Sequence, residues 1–489
     1  MGDFAFVFDI SWATLFVAVD MTLRILAVIF VPRNRRPQTA MAWLLAIFAL
    51  PVPGFLLFLL LGNRRLSKRR REKQREINEY IINTTDGIDR VSTETPWPTY
   101  LTPIVQLNRH LGAMPMVGGN DAKLFPHYEE SLQAMTDEIA TAKKYVHIEF
   151  YILALDTTTE PFFKALEDAT ARGVVVRVLF DHIACWRSVG YKRMKKRLTK
   201  IGVLWAPMLP VQPLRGKWQR PDLRNHRKLL IVDGLVAFTG SQNFIDSSYN
   251  LRANIQRGLH WKDLMVRFEG PIVTGINALF VTDWYSETDE LLTRETEDIG
   301  HVEHADPMDA QVVPSGPGFE GENNLRLFNA LIYAATKKVI ITSPYFVPDD
   351  SMLYAITTAA QSGLDVQLFA SEIGDQFMVF HAQRSYYEEL LRAGVRIFLY
   401  PAPTILHAKH FTIDDEVSVI GSSNMDMRSF SLDYEISIMV RGHGFVEELR
   451  EVEEQYRAVC REITLEEWLE RPRRARILDN TMRLTAALQ

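Results

Sequence analysis

Two short stretches set a histidine two residues before a lysine at the head of an apolar run. RNHRKLLIVDG, residues 224–234, carries His226, Lys228 and Asp233; LHAKHFTIDDE, residues 406–416, carries His407, Lys409 and Asp414. Each is followed by a G-S-x-N element, with Ser241 and Asn243 in the first copy and Ser422 and Asn424 in the second, and the spacing from histidine to asparagine is 17 in both. Histidine can act as nucleophile or acid near neutrality, lysine brings a cation for phosphoryl oxygens, and serine and asparagine add neutral donors. Such a set suits a phosphodiester. Two copies brought face to face would put imidazoles on opposite sides of one phosphorus, as in-line displacement through a phosphohistidine requires. One histidine then attacks and the other protonates the leaving alkoxide.

A carboxylate is expected to hold each imidazole in its working tautomer. Glu435, in SLDYEISIMV after the second motif, is the candidate there. In the first half the analogous strand is HWKDLMVRF and gives Asp263, at a spacing of 37 from its histidine against 28 in the second half. Asp233 and Asp414 complete the motifs as candidate catalytic residues, although their place at a turn equally suits a role in fixing the backbone. No metal and no cofactor is expected, since lysines and amides supply the positive field. There is no phosphate-binding glycine loop.

The elements that must position these residues alternate. ESLQAMTDEIATAKK, PFFKALEDATARG and YKRMKKRLTKIG have helical periodicity, and YVHIEFYIL and VVVRVLF read as strands. After residue 310 the order returns, so the chain is an internal duplication and predicts an α/β fold of two pseudo-twofold-related α-β-α sandwich lobes. The first lobe is placed at 123–300 with its motif at 224–243, the second at 301–489 with its motif at 405–424, and 77–122 is read as a linker. An insertion around WAPMLPVQPLRGKWQRPD, with Trp205 and Trp218, either shapes a substrate entrance or is an ordinary surface loop.

The formal net charge of -5 hides an asymmetry: residues 1–76 hold 12 Lys and Arg against 5 Asp and Glu, leaving 43 against 55 in the rest. So acidic a body argues against nucleic acid as a partner. Two apolar segments, about 10–32 and 38–61, lie within residues 1–76, and the uncharged run from Pro37 to Gly62 is long enough to span about 30 Å of hydrocarbon. The expectation is an N-terminal transmembrane helical hairpin, or a re-entrant variant kinked at Pro51, Pro53 and Gly54. Either form would leave the chain anchored in the cell membrane, the basic run at 63–75 on anionic headgroups and the large domain cytoplasmic. Cys185 and Cys460 are read as buried small side chains.

The pairs HRKLLIVD with GSQN and HAKHFTID with GSSN resemble the HKD signature of the phospholipase D superfamily. Together with TAMAWLLAIFALPVPG, HIEFYIL, HWKDLMVRFEGPIV, SPYFVPD and SSNMDMRSFSLDYE, they are similar to bacterial cardiolipin synthases of that superfamily. The resemblance implies transfer of a phosphatidyl group from one phosphatidylglycerol to another, releasing glycerol. It implies His226, Lys228, Asp233, His407, Lys409 and Asp414 as the two catalytic sets, His226 as nucleophile and His407 as acid, with Asn243, Asn424 and Glu435 supporting. The implied partners are phosphatidylglycerol and anionic membrane lipids. A phospholipase D that uses water and a non-catalytic lipid-binding scaffold stay open as alternatives.

Overall fold

The computed structural model describes residues 12–33, 35, 37–62, 66–85, 97–212, 219–292, 308–319 and 321–486. The chain divides into two compact units, Met1–Arg65 and Leu66–Gln489.

The first unit holds helices Trp12–Phe30, Pro37–Ala49 and Pro51–Leu61. Pro51 explains the division of the long apolar run, since proline ends one helix and suits the first turn of the next. The resulting helices of 13 and 11 residues rise only about 20 Å and 17 Å, short of the roughly 30 Å of a hydrocarbon core. The first helix has 19 residues but carries the Asp20–Arg24 ion pair at 2.8 Å. Among the described residues no helix is long and apolar enough to cross a membrane. This overturns the predicted transmembrane hairpin, the anchored localisation drawn from it and the membrane as a partner of that segment. The unit is instead a small three-helix cluster around Ala27, Val31, Ala40, Ile47 and Phe58. Gly54 allows the close approach, because a Cβ there would lie 2.7 Å from the Ala46 carbonyl oxygen. Arg35 donates to the carbonyls of Val31 and Gly62 at 2.7 and 2.9 Å, beyond the ends of the first and third helices, where carbonyls are unsatisfied and the helix dipole is negative.

The basic run is also placed differently from expectation. Residues 63–65 lie outside the described residues, and the remainder forms helix Lys68–Thr84 of the large unit. Arg70 meets Glu287 through two bonds of 2.9 and 2.7 Å, and Lys73 donates to the Tyr285 carbonyl at 2.7 Å. These cations complement the acidic C-terminal end of helix Ile272–Thr288.

In the large unit, each half builds a sheet in the same spatial order, the second with one further edge strand, Arg461–Ile463. The first runs Leu204–Met208, Val175–Asp181, Tyr145–Phe150, Lys228–Val232, Val236–Gly240, Met265–Glu269, Met116–Phe125. The second runs Arg461–Ile463, Arg396–Tyr400, Asp365–Ser371, Lys338–Thr342, His410–Ile413, Val417–Gly421, Asp433–Arg441, Met308–Ser315. The two join antiparallel where Met116 faces Gln311, making one continuous sheet. The stretch 77–122 read as a linker contains the end of the basic helix, helix Leu101–Gly112 and the start of that joining strand; residues 86–96 are outside the described residues. The boundary read at 300/301 also lies outside them.

Alternation along the strands explains the layering. Leu229 and Ile231 enter the cluster shared by both halves, whereas Leu230 and Val232 enter one private to the first half. Helix Ile272–Thr288 and helix His443–Val459 contribute Ile276, Phe280, Leu449 and Tyr456 to the shared cluster. Both faces of the strands are therefore buried, and their ends are left to build a site. Trp205 stacks on Phe180 with ring centres 5.7 Å apart. Trp218 lies outside the described residues.

Candidate active site

Each motif histidine follows a short strand that pairs, in parallel, with the opposite half. Arg224 and Asn225 pair with Asp433 and Tyr434; Ile405 and Leu406 pair with Trp261 and Lys262. The register then continues through the histidines: His226 N–H donates to the Tyr434 carbonyl at 2.8 Å and His407 N–H to the Lys262 carbonyl at 2.7 Å. The next residue of each partner strand is the carboxylate. Accordingly Nδ1 of His226 lies 3.0 Å from Glu435 Oε1, and Nδ1 of His407 lies 2.7 Å from Asp263 Oδ1. The carboxylates are thus exchanged between halves, and the pairing of each with the histidine of its own half is corrected. Strand register gives the reason, since it carries Glu435 past the first motif and Asp263 past the second.

The serines of the G-S-x-N elements hold the carboxylates. Ser241 Oγ donates to Asp263 at 2.7 Å, and Ser422 Oγ donates to Glu435. Each hydroxyl also accepts a backbone N–H, from Leu264 at 2.9 Å and Ile436 at 3.0 Å. Asn243 donates to the Tyr249 hydroxyl at 2.7 Å, while Oδ1 of Asn424 is buried with no partner among the described residues. Lys228 and Lys409 are buried, and each Nζ donates 2.6 Å to the carbonyl of its own histidine.

Asp233 and Asp414 are placed elsewhere. Asp233 accepts the backbone N–H of Lys143, Lys144 and Tyr145, each at 2.8 Å, and Asp414 those of Thr336, Lys337 and Lys338 at 3.0, 2.7 and 3.0 Å. Both sit at positive φ, 53° and 47°, in turns at the far end of the motif strand, roughly 20 Å from the histidine at about 3.3 Å per residue. Their candidate catalytic role is therefore corrected to the backbone-fixing alternative. Asp233→Ala is expected to destabilise the large unit by about 1–3 kcal/mol, because three backbone amides, that of Tyr145 buried, lose a charged acceptor. Denaturant unfolding followed by circular dichroism checks this.

Sequence reasoning missed several neighbours. Tyr151 stands edge-on to His226 with ring centres 4.9 Å apart, and Tyr345 to His407 at 6.4 Å. Asp181 accepts the N–H of Asn225 at 3.0 Å, and Ser371 accepts that of Leu406 at 2.8 Å, so both pin the residue before a histidine. Arg227 is buried, donates to the Glu435 carbonyl at 3.1 Å and pairs with Asp283. The only available signal was their place at strand ends beside repeated elements. Of the other histidines, His147 is bound by Asn277, His182 by the Val211 N–H, His260 by Thr404 and His381 by Asp479.

Burial, with the adjacent lysines, holds both imidazoles neutral: His226 is pushed well below its usual value and His407 down to about 3. Burial lowers Lys228 to about 8, opposed by Glu435 and Asp263. The carboxylates differ. Burial drives Glu435 up to about 7, whereas for Asp263 the raising effect of burial is overcome by His407, Lys409 and Ser241, which keep it below the ordinary value.

The family described as "Cardiolipin synthase, PLD-like domain" matches residues 135–269 and 328–457, one stretch in each half, and "Phospholipase_D-nuclease N-terminal" matches residues 22–63. Cardiolipin synthase A of Proteus mirabilis is 33% identical over 479 residues, covering 96% of both chains. The chain belongs to the phospholipase D-type cardiolipin synthase family. Cardiolipin synthase A of Pectobacterium carotovorum, another member, is 32% identical over 490 residues, again covering 96% of each chain. Among solved structures, phosphatidylserine synthase of Haemophilus influenzae aligns at a TM-score of 0.58 and 12% identity, covering 79% of this chain and all of that one, and shares the fold. The two matched stretches of this cardiolipin synthase family member are the two halves that exchange carboxylates.

Proposed function

We infer that the chain is a cardiolipin synthase, a phosphatidyltransferase that joins two phosphatidylglycerol molecules and releases glycerol. The full-length similarity to cardiolipin synthases A carries this reading over the hydrolase and the scaffold. Incubating purified protein with phosphatidylglycerol alone tests it: cardiolipin and glycerol are expected, whereas phosphatidic acid as the sole product would favour the hydrolase.

The electrostatics support distinct roles for the histidines. A neutral His226 attacks phosphorus; the bond to the glycerol oxygen breaks, and His407 delivers a proton to that oxygen. The arriving phosphodiester anion offsets the lysine charges, so an imidazolium becomes favourable, and at His407 the ionised Asp263 stabilises it further. In the second step a terminal hydroxyl of another phosphatidylglycerol attacks phosphorus, its proton passes to His407, and the phosphorus–nitrogen bond breaks. Lys228 and Lys409 neutralise the phosphoryl oxygens throughout.

A pH profile follows. As pH falls through about 7, Glu435 takes up a proton and ceases to support positive charge on His226; as pH rises through about 8, Lys228 loses its cation. A bell-shaped dependence of kcat/KM is expected, with limbs near these values. Burial lowers Lys409 well below its ordinary value too, so replacing both Lys228 and Lys409 by Arg, and not Lys228 alone, should remove the alkaline limb below pH ~10, since guanidinium stays charged there. Initial rates in mixed micelles from pH 5 to 10 check it, and a flat profile would contradict it.

A further inference from the structure

The two half-sites are matched in their histidines, lysines and carboxylates but not in what surrounds them. Beside His226 stand guanidinium groups: Arg224 bonds Asp181 at 3.1 Å, and Arg428 lies 3.3 Å from Asp433. Beside His407 the wall is of another kind. After strand Asp365–Ser371 the chain brings Asp375 to Tyr345, whose hydroxyl donates to the carboxylate, with both oxygens at 3.0 Å. In the first half the equivalent strand runs directly into helix His182–Arg187, where buried Cys185 follows Asp181 at the spacing by which Asp375 follows Ser371, and the carboxylate acting on Tyr151 there is Asp181, itself held by Arg224.

Asp375 and Tyr345 face a small recess also lined by Gln376, Phe380, Gln383 and Ile405. Tyr345, which lines the recess, has its ring centre 6.4 Å from that of His407. Asp375 as a residue is exposed, yet burial of its carboxyl group raises its pKa above the ordinary value, opposed by the Tyr345 hydroxyl, by backbone amides and by Lys409. An ionised carboxylate repels a phosphoryl oxygen and accepts hydrogen bonds from hydroxyls; two oxygens side by side match two neighbouring hydroxyls.

We propose that Asp375, with the Tyr345 hydroxyl it holds, recognises the glycerol hydroxyls of the phosphatidylglycerol headgroup on the His407 side and thereby selects glycerol-bearing groups as leaving group and acceptor. This rests on the reading of the chain as a cardiolipin synthase. The diol bound at Asp375 sets its primary oxygen between phosphorus and His407, where it can depart with a proton from the imidazole or return one to it. The phosphate stays with Lys228 and Lys409. Asp375 is thus a substrate-binding residue, and Tyr345 positions it.

The test is a competition between alcohols. Full-length protein is given phosphatidylglycerol in detergent micelles with equimolar carbon-13-labelled glycerol and ethanol, and mass spectrometry reads the ratio of labelled phosphatidylglycerol to phosphatidylethanol. In the wild type glycerol is favoured; Asp375→Asn is expected to lower the ratio at least about tenfold, through loss of a charge-assisted acceptor for the hydroxyls. Tyr345→Phe should lower it less, and Asp375→Glu should recover part of it. An unchanged ratio in Asp375→Asn, with both products falling together, would overturn the proposal. If that variant does not fold, an unchanged ratio in both Asp375→Glu and Tyr345→Phe would overturn it equally. Wild-type protein that forms phosphatidic acid and neither alcohol product would instead refute the synthase reading, and the polyol recess with it.

Discussion

His226→Ala is expected to lower kcat/KM for phosphatidylglycerol by at least about 10⁴-fold, because it removes the atom that forms the covalent bond. His407→Ala should be severely impaired as well, by about 10²–10⁴-fold, the range for loss of a general acid and base. The two losses differ in kind, and a substrate with a nitrophenol leaving group separates them. Nitrophenolate departs without a proton, so His407→Ala should still form the phosphatidyl adduct and then hold it, for want of a base to activate the acceptor. His226→Ala should form none. Intact-protein mass spectrometry after an acid quench reads the adduct directly, and finding it in His226→Ala alone would reverse the assignment.

Glu435→Gln is expected to cost about 10²–10⁴-fold in kcat/KM, the scale for an orienting carboxylate behind a catalytic imidazole. The Nδ1 contacts specify which imidazole is concerned: Glu435 serves His226 at 3.0 Å and Asp263 serves His407 at 2.7 Å. A double-mutant cycle resolves this. In a His226→Ala background, Glu435→Gln should cost less than about tenfold more, because both act through one imidazole, whereas Asp263→Asn should keep most of its effect. If Glu435 were coupled to His407 instead, pairing within each half would stand and the observed exchange would lose its functional meaning.

The duplication and the placing of each histidine beside its lysine were legible in the sequence because both are local: His226 and Lys228 are two residues apart, and alternation along 228–232 shows which residues enter which core. The partner of each imidazole was not. A carboxylate 28 or 37 residues downstream is the natural choice by spacing, yet the parallel pairing of Arg224–Asn225 with Asp433–Tyr434 decides the matter. Register between distant strands has no signature in a single sequence. Asp233 and Asp414 show the opposite error, in which recurrence within a motif suggested reactivity. Their positive φ and triple amide bonding show that the turn itself requires an aspartate. In the first unit, apolar length pointed to a membrane span, but Pro51 starts a new helix and the uninterrupted rise needed is not reached.

The exchanged strands bear on the independence of the halves. A chain cut between Leu292 and Met308 would yield one fragment with His226 and Asp263 and another with His407 and Glu435, and in neither would a base face its carboxylate. Each fragment lacks its counter-ion, and only reassociation restores both dyads. Complementation of two inert pieces, rather than residual turnover by either, is the behaviour this architecture imposes, and an ancestor bearing one motif would have had to work as a symmetric pair.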